Sequence, residues 1–201
     1  MKILFIKEKR SESGIEGIAI YLLTVCIELN RLGIAYLVLY NSRDLFYKQM
    51  VENNVKVEIV DLPPSSSYNM LHRYFDVLKI RKLIHSIVLK EQITIINVHF
   101  PHLLGYVKAS WGIPIFAHWH GAFVENKSLK YFDKNDILSP VSIINNIYKK
   151  HMVFNFSKAK NIVCPSVAAK NTASKRFSVP ETKIKINKYG LKKINPYEYK
   201  N

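Results

Sequence analysis

Four histidines fall in two close pairs, His99 with His102 and His118 with His120, and each pair follows a short apolar run that reads as a β-strand. Imidazole changes charge nearest neutral pH, so such a cluster could donate hydrogen bonds, stabilise a charged reaction state or ligate a metal. Metal binding is disfavoured, because neither cysteine nor carboxylate accompanies the four and His-x-His is not a usual ligand spacing. A single ring acting as hydrogen-bond donor or stabiliser of developing charge fits better. A second candidate is the loop SESGIEG, with Ser13, Gly14, Ile15 and Glu16, between an apolar strand and an amphipathic helix. A helix N-terminus offers N–H groups and partial positive charge to an anion, and glycine lets a phosphate or sugar approach the backbone. Ser13 and Glu16 also satisfy a capping box, which would fix the loop that the ligand meets. A third candidate is Ser166, which follows the apolar run NIVC and is placed to cap a helix.

Other chemistries lack their residues. The glycine spacing is not G-x-G-x-x-G, and the second strand closes on Tyr40 and Asn41 with no acidic residue to bind a ribose. Neither a phosphate-binding G-x-x-x-x-G-K-[ST] loop nor a G-x-S-x-G nucleophile elbow occurs. The aromatic residues lie on apolar stripes and not among basic residues, so no nucleic-acid partner is expected.

The elements that must position these residues follow from periodicity. Residues 2–6, KILFI, form a buried strand. Ile15, Ile18, Leu22, Val25, Cys26, Leu29 and Leu32 then make one helical stripe, Gly33 ends the helix, and Ala35 to Tyr40 is a second strand. Residues 43–53 predict a short exposed helix, Val55 to Val60 a strand near the sheet edge, and DLPPSSS a loop. Tyr68 to Lys90 predicts a long helix with Leu71, Phe75, Leu78, Ile84, Ile87 and Val88 inward and a basic outer side. Strands are expected at Ile93 to Val98, Pro114 to Ala117, Asn161 to Cys164 and Lys183 to Asn187. Helices are expected through Tyr106 and Trp111, from Pro140 to Phe156 and from Ser166 to Phe177, and a loop over 122–139. Strands alternating with helices mean right-handed βαβ units. The fold class is therefore α/β, a Rossmann-like open twisted parallel sheet of six to seven strands with helices on both faces. In such a sheet the carboxyl ends of the strands share one rim, which gathers the histidines, the Ser13–Gly14 loop and Ser166.

The chain has 201 residues, 48% of them hydrophobic, enough for the core of one domain. Its formal charge of +15 points to an anionic partner such as a membrane surface, a phosphorylated small molecule or nucleic acid, or else reflects a compositional bias towards lysine. Cys26 and Cys164 sit among apolar neighbours, which suits buried thiols in a reducing compartment and neither a disulfide framework nor a zinc site. No apolar run approaches the ~20 residues that span a bilayer. A cytoplasmic place is expected, with peripheral contact at the inner membrane face.

The series as a whole resembles the amino-terminal, acceptor-binding domain of family-4 retaining glycosyltransferases, which have the two-domain GT-B fold. The resemblance is carried by SGIEGIAIYLLTVCIELNRLG, where Ser13 takes the place of the family's first glycine and Gly14 and Glu16 match. It continues in INVHFPH, IPIFAHWHG, NIVCPSVAAKN and SVPETKIKI. It implies a glycosyltransferase of the hexosyltransferase class that moves a sugar from a nucleotide-sugar donor to a glycan or lipid-linked acceptor in cell-surface polysaccharide synthesis. His120 would touch the transferred sugar and support catalysis. Ser13, Gly14 and Ile15 would approach the donor diphosphate, and Glu16, His99, His102, His118 and Ser166 would face the acceptor. No cofactor and no metal are implied. Residues 1–190 would be the domain and 191–201 an interdomain linker or truncated tail. The family's Asn-Gly-(Ile/Val)-Asp hinge is replaced by Tyr189, Gly190, Leu191 and Lys192. The donor-binding carboxyl-terminal domain would come in cis or from a partner chain, and this chain is expected to be inactive without it. Two other readings are a non-catalytic acceptor-binding subunit and a basic α/β module for polyanions.

Overall fold

The computed structural model describes residues 1–9, 17–62, 70–119 and 154–188, with the side chains of 70–75, 101–102 and 176–177 outside that description. The apolar run KILFI forms β1 (Lys2–Ile6), and alternation sends Leu4 and Ile6 to one face and Phe5 to the other. Next come α1 (Gly17–Arg31), β2 (Ala35–Tyr40), α2 (Leu45–Glu52), β3 (Val57–Ile59) and α3 (Met70–Lys90). The second half gives β4 (Ile95–Val98), β5 (Ile115–His118), β6 (Asn161–Cys164), α4 (Val167–Phe177) and β7 (Ile184–Ile186). The seven strands form one sheet, ordered β3-β2-β1-β4-β5-β6-β7 and parallel at every pairing. Strand order reverses between β1 and β4, the switch point at which ligands of such sheets bind.

Helices cover both faces. On the first, Ile80, Ile84, Ile87 and Val88 of α3 and Ala169 and Ala173 of α4 pack with Leu4, Ile6, Leu37, Leu39, Ile96 and Val98. On the second, Ala19, Leu22 and Cys26 of α1 and Phe46 and Met50 of α2 pack with Phe5, Tyr36, Val38 and Tyr40. Burial pushes the Cys26 thiol up to about 12 and that of Cys164 to about 11, so both behave as small apolar side chains. Below the sheet, Glu91 is bonded by Lys2 of β1 and by Lys56, 3.2 Å away, and these two ammonium groups hold its carboxyl at about 2. This joins the start of β1 to the turn that follows α3.

Several expected boundaries shift for identifiable reasons. Leu32 lies beyond the end of α1, in the turn to Gly33 (φ +66), and is 53% exposed instead of completing the stripe. The second helix is not wholly exposed, because Phe46 and Met50 lie at i and i+4 and are buried together. The expected helix through Tyr106 and Trp111 is two 3-10 turns, Pro101–Tyr106 and Ala109–Trp111, interrupted by extended backbone at Val107 and Lys108. β5 starts one residue later than expected. Pro114 has no N–H for the ladder but offers its carbonyl to Ile96, and His118 takes a place in the strand opposite Val163. The loop expected over 122–139 and most of the helix expected to follow it lie outside the described residues; residues 154–158 are helical.

Candidate functional site

Parallel pairing places the carboxyl ends of all seven strands on one rim. Lys7 and Glu8 follow β1, His99 follows β4, His118 closes β5, Ser166 follows β6 and Asn187 follows β7. The His99 N–H donates to the Ile6 carbonyl at 3.0 Å, so the first residue beyond β4 is held to the end of β1. Its ring lies parallel to that of His118, centroids 4.8 Å apart at an interplanar angle of 2°. Tyr21, from the second turn of α1, covers both rings at 6.2 and 5.7 Å, and Phe5 closes on His99 at 5.9 Å. His99 is 1% and His118 4% exposed, so the stack lies beneath the rim, closed off from solvent.

The chemistry of the stack follows from its burial. Desolvation holds the His118 imidazole down to about 4, so it is neutral at pH 7. The Asn97 side-chain amide, also on the second face of the sheet, lies 3.2 Å from His118 Nε2. With the amide donating, Nε2 is the acceptor and the proton sits on Nδ1. Burial raises the Tyr21 hydroxyl above the ordinary phenol range, and a hydrogen bond with the Asn187 side chain opposes part of that rise. Tyr21 therefore bridges α1, the two histidines and the segment leaving β7.

A buried cation at the end of β1 escaped the sequence reading. Lys7 is 1% exposed; its Nζ donates to the Glu8 carbonyl at 3.0 Å and lies 5.3, 5.4 and 5.8 Å from the ring centroids of Phe46, Tyr40 and Phe100. Aromatic faces stabilise a cation withdrawn from water. Glu8, beside it, is 2% exposed. The available signal was the pair Lys-Glu directly after an apolar central strand, where a charged residue must find partners at the rim.

The expected site residues divide accordingly. The structure brings His99 and His118 together. Ser166 caps α4, its Oγ accepting the Ala169 N–H at 3.1 Å. Ser166→Ala should cost about 1 kcal/mol, read as a lower urea midpoint with unchanged slope. An unchanged midpoint would mean that the cap bond contributes nothing. His102 lies in the 3-10 turn after His99, with its side chain outside the described part. Ser13, Gly14, Ile15, Glu16 and His120 all lie outside the described residues. Among the described residues, no group of three His, Cys, Asp or Glu side chains converges in a way that could hold a metal.

Comparison with known proteins gives this rim a context. The sequence matches Glycosyltransferase Family 4 over residues 15–190. No curated protein matches it. Among solved structures it resembles a glycosyltransferase from Rickettsia africae, with TM-score 0.61 and 19% identity over 92% of this chain and 42% of that one. It also resembles Anabaena Alr3699/HepE in complex with UDP, with TM-score 0.61 and 20% identity over 95% of this chain and 44% of that one. A third likeness is UDP-GlcNAc 2-epimerase from Neisseria meningitidis bound to UDP-GlcNAc, with TM-score 0.59 and 14% identity over 92% and 45%. The chain spans less than half the length of these structures, and identities this low establish the fold alone. The family match, by contrast, covers most of the chain, from two residues before α1 through β7. The chain belongs to Glycosyltransferase Family 4, and its seven-stranded parallel sheet is the amino-terminal, Rossmann-like half of a GT-B fold.

Proposed function

We propose that this domain is the acceptor-side half of a transferase that moves a hexose from a nucleotide-sugar donor to a glycan or lipid-linked acceptor in cell-surface polysaccharide synthesis. The observation that carries the reading is the family match over residues 15–190, which includes the ends of β4, β5 and β6 on the rim. HepE has been solved with UDP-glucose, which favours a nucleotide sugar as the donor class here too. In this reading residues 1–190 form the domain and 191–201 lead towards a donor-binding half, in cis or on a partner chain, without which transfer does not proceed. Ser13, Gly14 and Ile15 present backbone N–H groups to the donor diphosphate, so negative charge on the departing nucleoside diphosphate is stabilised at a helix N-terminus with no cofactor and no metal. His120, two residues past His118, hydrogen-bonds the transferred sugar. Glu16, His102 and Ser166 face the acceptor, while the buried His99 and His118 fix the floor beneath it. The enzyme works at the cytoplasmic face of the membrane.

The test is sugar transfer by the protein together with its donor half, using radiolabelled UDP-sugars and extracted lipid-linked glycan precursors. His120→Ala should lower kcat on the order of 100-fold with little change in KM, as expected of a group that acts in the transition state. Transfer at the unaltered rate in this variant would remove His120 from catalysis. Acceptor binding without turnover of any UDP-sugar would replace the transferase reading with that of a non-catalytic acceptor-binding subunit.

A further inference from the structure

The turn that carries His102 is held at its far end by two cations. Directly after His99 and Phe100 the chain forms the 3-10 turn Pro101–Tyr106, with Leu103, Leu104, Tyr106 and Val107 buried among the apolar side chains of the first face. Such a turn holds its own shape with few bonds: the Leu103 N–H donates to the Phe100 carbonyl at 3.0 Å and the Val107 N–H to the Leu104 carbonyl at 3.3 Å. The last carbonyls of a helical turn need donors from elsewhere. Arg81, on α3, donates from Nε to the Gly105 carbonyl at 2.6 Å, and Lys158, in the helical residues 154–158, donates from Nζ to the Leu104 carbonyl at 3.2 Å. Two cations thus meet successive carbonyls at the end of the turn where its dipole favours positive charge. Lys158 is itself fixed: its Nζ also donates to Asn155 Oδ1 at 3.0 Å and lies 4.7 Å from the Phe154 ring centroid, and Asn155 is fully buried. One turn along α3 from Arg81, His85 stacks on Trp111 with centroids 4.9 Å apart, so the same helix also holds the second 3-10 turn.

This arrangement is unfavourable for each cation taken alone. Burial, and after it the charge of Arg81, hold the Lys158 ammonium down to about 8, which reports both the lost hydration and the repulsion between the pair. A neutral donor such as a serine hydroxyl or an asparagine amide would satisfy either carbonyl without that repulsion, so the need for a hydrogen bond does not by itself account for two cations. What the pair adds is direction. One side chain comes from the helix before β4 and the other from the helical residues before β6, so the turn is fixed from two elements at once. His102 stands three residues before Gly105, about 6 Å along a 3-10 axis, and a tilt of the turn at its clamped end carries to His102 at the rim.

We propose that Arg81 and Lys158 are positioning residues for acceptor binding: by holding the Gly105 and Leu104 carbonyls they fix the Pro101–Tyr106 turn and with it the place of His102 at the rim. The proposal rests on the transferase reading in taking His102 to face the acceptor. Its first test needs no substrate. In hydrogen–deuterium exchange, Arg81→Met and Lys158→Met should each speed exchange of the amides in residues 101–107 on the order of tenfold, while β1, α1 and β2 exchange as in the parent. Lys82→Gln, the adjacent and exposed position on α3, loses the same charge and should change nothing. The second test uses the protein with its donor half, radiolabelled UDP-sugars and extracted lipid-linked glycan precursors. Each methionine variant should raise KM for the precursor on the order of tenfold, the scale of one charge-assisted hydrogen bond, with kcat and KM for the UDP-sugar near the parent's. Arg81→Met should add nothing to the precursor KM of His102→Ala, because both changes remove the same contact. Lys158→Arg, which keeps a charged donor, should recover most of the parent's precursor affinity. Thermal melts check folding, and where Arg81→Met fails to fold, Arg81→Lys, which keeps stem and charge but lacks the Nε–H, carries the same test. Equal rises in both KM values, losses that add to those of His102→Ala, or unaltered exchange in residues 101–107 overturn the proposal. A parent that transfers no sugar would sink the transferase reading alone, since exchange and precursor binding still decide the clamp.

Discussion

Lowering the pH from 7 to 4 should remove roughly 3 kcal/mol of folding stability through His118 alone. In the unfolded chain its imidazole titrates near 6.5, whereas burial in the fold holds it down to about 4. Between those values the unfolded state binds the proton and the folded state does not, so protons favour unfolding. The contribution is fully present above pH 6.5 and is lost as pH falls towards 4. A shift of this size at about 1.4 kcal/mol per unit gives the figure. Glu91 acts in a lower window, between its ordinary value and about 2, and sits in a more open setting that water screens. Urea titrations at pH 7, 5.5 and 4 measure the wild-type slope, and His118→Gln, which keeps a polar partner for Asn97, should flatten it. A wild-type protein equally stable at pH 7 and 4, or a His118→Gln variant with the wild-type slope, would show that His118 is not the buried neutral ring described here.

The titration matters for the rim because the two histidines are legible in sequence only as residues at strand ends. Periodicity predicts β1, α1, β2, β6 and α4 closely, since each carries an unbroken apolar pattern with a clear stop: Gly33 after α1, Ser166 before α4. It also places His99 and His118 on one edge, because parallel strands in a single sheet leave no other arrangement. Whether a ring at a strand end opens to solvent or turns under the neighbouring helix depends on what the helix brings. Tyr21 is that residue, and nothing local to His99 or His118 encodes it. Lys7 was missed for a similar reason: its aromatic surroundings come from β2, α2 and the residue after His99, segments separated by up to 93 positions in the chain. The broken helix between Pro101 and Trp111 shows the opposite failure. A helix is expected through Tyr106 and Trp111, but Pro101, Gly105 and Gly112 divide the stretch into pieces that form 3-10 turns.

Leu22→Ala should cost about 3 kcal/mol, the larger part of what a single apolar contact can contribute. Leu22 is fully buried in α1 against the second face, in the cluster that includes Phe5, Val38 and Met50. Removing its branched end forfeits its transfer from water and leaves a space that strands β1 and β2, hydrogen-bonded on both sides, have little freedom to fill. The control is Leu32→Ala. The same chemistry at a site 53% exposed, one residue past the end of α1, should change stability by less than about 0.5 kcal/mol. Urea unfolding of the two variants separates the cases, and near-equal losses would mean that α1 is not seated on this face of the sheet. The consequence extends to the rim because Tyr21 is the residue before Leu22, and its contacts with both histidines and Asn187 depend on how α1 is seated. Loosening that helix should raise the His118 imidazole back towards its ordinary value by admitting water, so Leu22→Ala should also shallow the loss of stability between pH 7 and 4. A variant that loses stability at pH 7 yet keeps the full wild-type pH slope would separate the packing of α1 from the burial of the histidine stack.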